Sequence, residues 1–373
     1  MTLKNKKEMK LTLTLPDNLI EEILLRLPVI SLLHCKCVCK SWLTLISNPQ
    51  FAKSHYDIAV APTHRLLVKP YNECSSEFIG IEAPLHYDSA VVYLTPKSSL
   101  IPSVRSYYLQ ILGSCRGFIL LKYVENDDLI LWNPSTGALK TISCSPGSKF
   151  LYGFGYDPST DDYLVVVANF NMEFFSLKTN SWNKVKGINF PYLGFGVRFI
   201  SGILLNGALH WLAVSKGTST ENAVIIAFDL IKRSLSEIPL PRDLTASTYR
   251  SIFEICHFMV IEGCLGLGCS GGVCWVMKEY KVQLSWTKFI VSSNCYVPCD
   301  SHFPICFSIG GGIVGSDAFG KLLKLDHKGE LLENSRYIMQ WFVEEGPVQS
   351  AMYTESLISF PSDFGEARED DQQ

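Results

Sequence analysis

A chain of 373 residues with 47% apolar side chains can bury one small core and one large one. Its net charge of −3 and its 18% of charged residues leave no global basic footprint, which argues against nucleic acid as a partner. No run approaches the roughly eighteen apolar residues of a transmembrane helix, so no membrane partner is expected.

The thirteen cysteines follow no short, regular spacing. They read as reduced, packed side chains in apolar runs, as at Cys115, Cys264, Cys269 and Cys306. The apolar run from Leu11 to Leu15 alternates with threonine and stops at Pro16, which is no signal peptide. No Asn-x-Ser/Thr acceptor has a permitted middle residue. Together these features point to the cytoplasm and/or nucleus.

Residues 1–14, with Lys4, Lys6, Lys7 and Lys10, read as a solvated, disordered tail. Residues 15–56 then carry helical periodicity. Pro16 and Asp17 start a first helix in which Leu19, Ile20, Ile23, Leu24 and Leu27 fall on one face and Glu21 and Glu22 on the other. Pro28 ends it. Ser31 is a candidate N-cap for a second helix bearing Leu32, Leu33, Cys35, Val38, Cys39 and Trp42, with Leu45 and Ile46 extending its apolar face. Asn48-Pro49 breaks that helix, and Phe51 belongs to a last short helical turn. About forty residues cannot hide this many apolar side chains by themselves. Each Leu or Ile left in water forgoes roughly 1.5–3 kcal/mol, so a second protein is expected to cover part of the face.

Leu15-Pro16, Ile23-Leu24, Leu27-Pro28, Leu32, Val38-Cys39-Lys40-Ser41-Trp42, Leu45-Ile46 and Phe51 together resemble the F-box of plant F-box proteins. His34 and Cys35 stand where that family more often has arginine and phenylalanine. The resemblance implies docking onto the Skp-type adaptor of a Skp–cullin–F-box ubiquitin ligase. Carried over to this sequence, the residues that make or support that contact are Leu15, Pro16, Leu19, Ile23, Leu24, Leu27, Pro28, Leu32, Val38 and Trp42.

From residue 57 to 362 the chain changes to short β-branched and aromatic runs punctuated by turn residues. One set of turns recurs at Arg116-Gly117, Asp161-Asp162, Asn206-Gly207, Glu262-Gly263 and near Gly311-Gly312. A second set recurs at Ser135-Thr136-Gly137, Thr179-Asn180, Ile231-Lys232-Arg233 and Lys328-Gly329. This coarse repeat, of blade length, predicts a mostly β protein whose body is β-propeller-like, with a β-sandwich pair as the structural competitor. Ser114-Cys115-Arg116-Gly117, Leu131-Trp132-Asn133-Pro134-Ser135-Thr136-Gly137, Gly153-Phe154-Gly155-Tyr156-Asp157, Asn206-Gly207-Ala208-Leu209-His210-Trp211, Phe228-Asp229-Leu230 and Tyr353-Thr354-Glu355-Ser356-Leu357 resemble the F-box-associated, kelch-like domain of the same family. Asp161-Asp162-Tyr163 departs from the family at one turn. That resemblance implies recognition of a target protein. Residues 363–373 read as a disordered acidic end.

Several patterns suggest chemistry and have a plainer reading. Gly266, Gly268 and Gly271 spell G-x-G-x-x-G, and Gly268 to Gly272 spell G-x-S-x-G around Ser270, but a strand rather than a helix follows. Nothing in the sequence pattern marks His257 or His302 as a base. Cys35, Cys37 and Cys39 put only two thiols on one helical face, and Cys295 with Cys299 and His302 lacks a fourth zinc ligand. His210 reads as a core histidine. Tyr152, Phe154, Tyr156, Phe195 and Phe199 read as core or turn aromatics. No catalytic residue, metal or cofactor is expected. The function expected is a non-catalytic receptor subunit that brings a target to a ubiquitin ligase for proteasomal degradation. The rival is a propeller that binds a glycan or small molecule and has no ligase role.

Overall fold

The computed structural model describes residues 15–58, 64–69, 76–80, 91–94, 109–123, 127–144, 150–186, 190, 192–193, 200–215, 223–245, 256–269, 273–290, 303–307, 313–316, 322–326, 331–334 and 349–360. The two tails, the turns near Gly311 and Lys328, and Ser270, Gly271, Cys295, Cys299, His302, Phe195 and Phe199 lie outside them. The chain divides into two units, Met1–Pro62 and Thr63–Gln373.

Among its described residues the first unit holds four helices, α1 (Asp17–Leu24), α2 (Val29–Cys35), α3 (Lys40–Ile46) and α4 (Pro49–Ile58). Pro16 and Pro28 occupy the N-cap positions of α1 and α2, so α2 begins before Ser31 rather than at it. The single second helix expected from the periodicity is two helices. The break falls at residues 36–39, where Cys39 takes an extended conformation (φ −159°, ψ 163°) and its Sγ accepts the Trp42 N–H at 3.5 Å. The thiol thereby does the capping work of a serine. The last turn expected around Phe51 is the ten-residue α4. Leu24, Val29, Leu32, Ile46, Phe51 and Ala52 form the buried core. His55 closes it, with Nε2 2.8 Å from the Leu27 carbonyl oxygen.

The second unit is built of strands. Among the described residues these form six sheets, each of four or five strands. In order along the chain, blade 1 is His64–Lys69, Ser76–Gly80 and Val91–Leu94, completed by Gln349–Thr354 from the far end of the sequence. Blade 2 is Leu109–Cys115, Phe118–Tyr123, Leu129–Trp132 and Leu139–Ile142. Blade 3 is Leu151–Asp157, Asp162–Ala168, Met172–Ser176 and Ser181–Lys184. Blade 4 runs from Ile203–Leu205 through Ala208–Ser215 and Ala223–Asp229 to Ser234–Ile238. Blade 5 is Cys256–Ile261, Cys264–Cys269, Val273–Met277 and Trp286–Ile290, and blade 6 is Phe303–Phe307, Ile313–Ser316, Leu322–Leu325 and Leu331–Asn334. Gln349–Thr354 of blade 1 packs beside the first strand of blade 2, and from blade 2 to blade 6 the first strand of each blade packs beside the first strand of the next. Six sheets in succession, with the last described strand paired antiparallel to His64–Lys69, are a propeller rather than a sandwich.

Three of the repeated turns do what their residues predict, whereas at Asp161-Asp162 the turn spans residues 158–161 and Asp162 already pairs with Asp157 in the strand. Cys115 faces Phe118, Leu205 faces Ala208 and Ile261 faces Cys264 across two-residue turns. Both central residues of each have positive φ: Arg116 46° and Gly117 87°, Asn206 50° and Gly207 71°, Glu262 49° and Gly263 73°. That is the hairpin turn whose twist matches its strands. The blades meet through apolar layers. One gathers Phe118, Leu131, Tyr152, Phe154, Tyr163 and Phe175. Another gathers Leu164, Val166, Trp211, Ile226 and Phe228. Trp211 is wholly buried and donates its Nε1–H to the Tyr152 carbonyl at 2.7 Å.

Cysteine chemistry differs from expectation at one place. Cys269 is joined to Cys256 by a disulfide rather than packed as a free thiol. The two lie opposite each other in the hairpin, each six residues from its side of the Glu262-Gly263 turn. Cys115 and Cys274 remain free, and burial pushes both thiols up to about 12. They are packing groups.

Candidate docking and recognition surfaces

The helical unit divides its apolar residues between two directions. Ile20, Leu24 and Leu27 turn inward, with Leu24 only 1% exposed. Leu15, Leu19 and Ile23, spaced by four, turn outward and are each about half exposed, Ile23 at 50%. Neighbouring positions on a helix are about 100° apart, so an apolar arc this wide has one edge in the core and the other in solvent. Pro16, Pro28 and Val38 are also exposed, Val38 at 63%. Trp42 and Leu27 are half-buried, and Leu32, like Leu24, is buried. The residues carried over from the resemblance therefore separate into an exposed set (Leu15, Pro16, Leu19, Ile23, Pro28 and Val38) and a set that holds the helices beneath it.

Ile30, Leu43 and Ile58 are exposed apolar residues outside that expected set. Ile30 could have been found by spacing. With Val29 and Leu32 inward, the intervening Ile30 and its i+4 neighbour His34 must face out, and both do.

On the propeller, turns between first and second strands and between third and fourth strands share one end of the blades, because successive strands alternate in direction. That end carries two corner loops with exposed apolar side chains, Ile231 after the third strand of blade 4, and Val282 and Leu284 after the third strand of blade 5. The second loop is pinned to blade 4 by Lys281 Nζ on Ser236 Oγ (3.0 Å), Gln283 Nε2 on the Leu240 carbonyl (3.0 Å) and Trp286 Nε1 on the Pro239 carbonyl (2.9 Å). Tyr152 and Phe154 are buried and Tyr156 is half-buried, in keeping with their reading as core or turn aromatics, so they do not supply this surface. Asp157, 1% exposed, anchors the neighbouring corner. Burial pushes its carboxyl up, but hydrogen bonds from Ser159, from Thr160 and from Arg233 Nη2 at 2.7 Å outweigh this and hold it below the usual carboxylate range.

His210 is a core residue, as its apolar strand predicts. Nδ1 sits 3.3 Å from the Ile203 carbonyl and Nε2 2.7 Å from the Tyr280 hydroxyl. The carbonyl can only accept, so in the neutral ring Nδ1–H donates to it and Tyr280 donates to Nε2. Burial, helped by the Lys281 charge, pushes His210 down to about 4. The unfolded chain keeps a value near 6.5 and takes up its proton first as pH falls. Stability is therefore lost between those two values, by about 2 kcal/mol at pH 5 relative to neutral pH. His210→Gln should flatten the fall of the urea midpoint between pH 7 and 5. An unchanged slope would show that another group carries it.

Gly266 and Gly268 lie within the strand Cys264–Cys269, and the next described element is another strand, so no helix end faces them for a phosphate. A Cβ at Gly266 would come within 2.8 Å of Ile261, which accounts for that glycine by packing. Among the described residues no group of His, Cys, Asp and Glu is placed to hold a metal ion, and no helix is long and apolar enough to cross a membrane.

Residues 13–54 match the F-box domain model, and residues 73–322 match the F-box associated beta propeller domain model. An F-box/kelch-repeat protein of Arabidopsis thaliana is 31% identical over 74% of this chain and 79% of its own length. The F-box protein CPR1 of the same plant is 27% identical over 91% of this chain and 84% of its own. Among solved structures, a calcium-binding regucalcin from Agrobacterium tumefaciens aligns at 10% identity and a TM-score of 0.39, over 59% of this chain and 70% of that one.

Proposed function

Because this chain belongs to the F-box proteins whose body is an F-box-associated β-propeller domain, we propose that it is the substrate-recognition subunit of a Skp–cullin–F-box ubiquitin ligase. The helical unit docks the Skp-type adaptor and the propeller holds a target protein. No residue of the chain breaks or makes a bond in the target. The subunit acts by tethering, which raises the effective concentration of target lysines beside a ubiquitin-charged enzyme. Ubiquitination and proteasomal degradation of the target follow, in the cytoplasm and/or nucleus.

The observation that carries this reading is the outward stripe Leu15, Leu19 and Ile23, exposed on a unit that has already filled its small core with other residues. Such a stripe is costly in water and suits the apolar centre of an interface. The test mixes the purified full chain with a Skp-type adaptor and follows the pair by size exclusion and calorimetry. A stable one-to-one complex is expected. An adaptor that elutes alone at every concentration would end the ligase reading. Mass spectrometry of proteins retained by the chain under proteasome inhibition should then recover the adaptor and cullin together with the target.

A further inference from the structure

The break between α2 and α3 places two thiols beside the adaptor-facing residues. Residues 36–39 leave the helix, and in this turn Cys37 and Cys39 are exposed while Cys35, the last residue of α2, is half-buried. Cys115 and Cys274 are buried, and Cys144 and Cys264 are half-buried. Val38, the most exposed large apolar side chain of the helical unit, stands between the two exposed thiols. Cys39 Sγ is 3.5 Å from the Trp42 backbone nitrogen, which holds the sulfur against the first turn of the helix that carries Trp42. Val38 and Trp42 both belong to the docking set. A group attached to either sulfur would occupy space that an adaptor covering Val38 has to fill.

We propose that Cys37 and Cys39 form a thiol-modification site at which low-molecular-weight disulfides switch off adaptor docking. The inference rests on the docking role proposed above. In the step, a cysteine thiolate attacks one sulfur of a disulfide RS–SR. A protein–S–SR bond forms, the RS–SR bond breaks, and RS⁻ leaves and takes up the proton that the cysteine released. The protein sulfur is oxidised and half of the small disulfide is reduced, so no further oxidant is needed. Excess thiol reverses the exchange. Docking and modification compete for one surface, so bound adaptor protects the thiols as strongly as modification weakens docking.

The full chain is incubated with glutathione disulfide and its adaptor affinity is measured before and after. Peptide mapping should place glutathione on Cys37 and Cys39 ahead of the other free thiols. Affinity should fall about tenfold or more and recover with dithiothreitol. Adaptor added first should slow the labelling. The double variant Cys37→Ser with Cys39→Ser keeps an oxygen acceptor at the α3 N-cap. It should bind as the parent does and ignore the reagent. Hydrogen exchange across residues 15–46 should match in the modified and unmodified chains, which separates a blocked surface from an unfolded one. Three results overturn the inference: glutathione on other cysteines, full affinity after modification, or lost protection in α1 to α3. If the reduced parent fails to bind, the docking reading itself has failed. If the reduced parent binds and the modified one binds equally, only the switch has failed.

Discussion

Asn133→Ala should cost the propeller about 2–6 kcal/mol and lower its thermal midpoint by about 3–10 °C. Asn133 is wholly buried at the corner turn of blade 2, yet its side chain serves residues more than two hundred positions away. Its Nδ2 donates to the Ser356 carbonyl at 3.1 Å and to the Ile358 carbonyl at 2.9 Å, and its Oδ1 accepts the Ser135 N–H at 2.9 Å. Ser135 Oγ in turn accepts the Ser356 N–H at 3.1 Å. These bonds clasp the segment that follows Gln349–Thr354, the strand that completes blade 1. Arg65 adds an ion pair to Glu355 at 2.5 Å, and Phe360 stacks on Phe118 at 4.9 Å between centroids. With alanine at 133, the buried Ser356 carbonyl and the part-buried Ile358 carbonyl lose their donors, at roughly 1–3 kcal/mol each. Asn133→Asp should be no better, because its second oxygen would face those carbonyls. Gly117→Ala tests the same clasp from the other side. At φ 87° its Cβ would stand 2.1 Å from Ser356 Cβ. The measurement is thermal unfolding of each variant, with hydrogen exchange over residues 349–360. Normal protection of that segment in Asn133→Ala would remove the clasp from the account of ring closure.

What the sequence made legible here depended on how local the physics is. Arg116-Gly117, Asn206-Gly207 and Glu262-Gly263 announce hairpins because a tight turn needs positive φ, and a glycine after a polar residue supplies it. Ring closure was not legible in the same way. Tyr353 to Leu357 and Trp132-Asn133-Pro134 were each visible as segments, but the bonds between them join distant parts of the chain. The number of blades was hidden for the same reason, since blade 1 is assembled from both ends of the propeller sequence. The Cys256–Cys269 pairing had a local sign that composition alone obscured, namely its symmetry about the Glu262-Gly263 turn.

The candidate docking site was half legible. Periodicity found the apolar residues of α1 but placed Leu19, Ile20, Ile23, Leu24 and Leu27 on one face. Which edge of that arc meets the core is decided by where α2 and α4 pack, and a single helix carries no record of its neighbours. The break at residues 36–39 was missed because cysteine is an uncommon N-cap. The helical spacing of Leu32, Val38 and Trp42 ran across it unmarked.

The two edges of that arc should fail differently when cut. Leu19→Ala with Ile23→Ala removes exposed side chains, and surface changes of this kind move stability by no more than about 0.5 kcal/mol each. If the adaptor covers them, each contributes about 1–2 kcal/mol to binding, so the pair should weaken the complex by about 100-fold. Leu32→Ala hollows the core of a unit with few other buried residues, at about 2–5 kcal/mol. Binding should fall there too, but through loss of the folded unit. Exchange protection across α1 to α3 should vanish in the free chain and return as adaptor is raised, because a ligand that binds only the folded form restores it by mass action. Calorimetry and hydrogen exchange on the two variants separate these cases. Unchanged affinity in the Leu19/Ile23 pair, with the helices protected, would mean that the adaptor does not sit on the α1 stripe. Docking would then have to rest on Val38, Trp42 and the exposed Ile30 and Leu43, and the exposed stripe would be left without the partner that accounts for it.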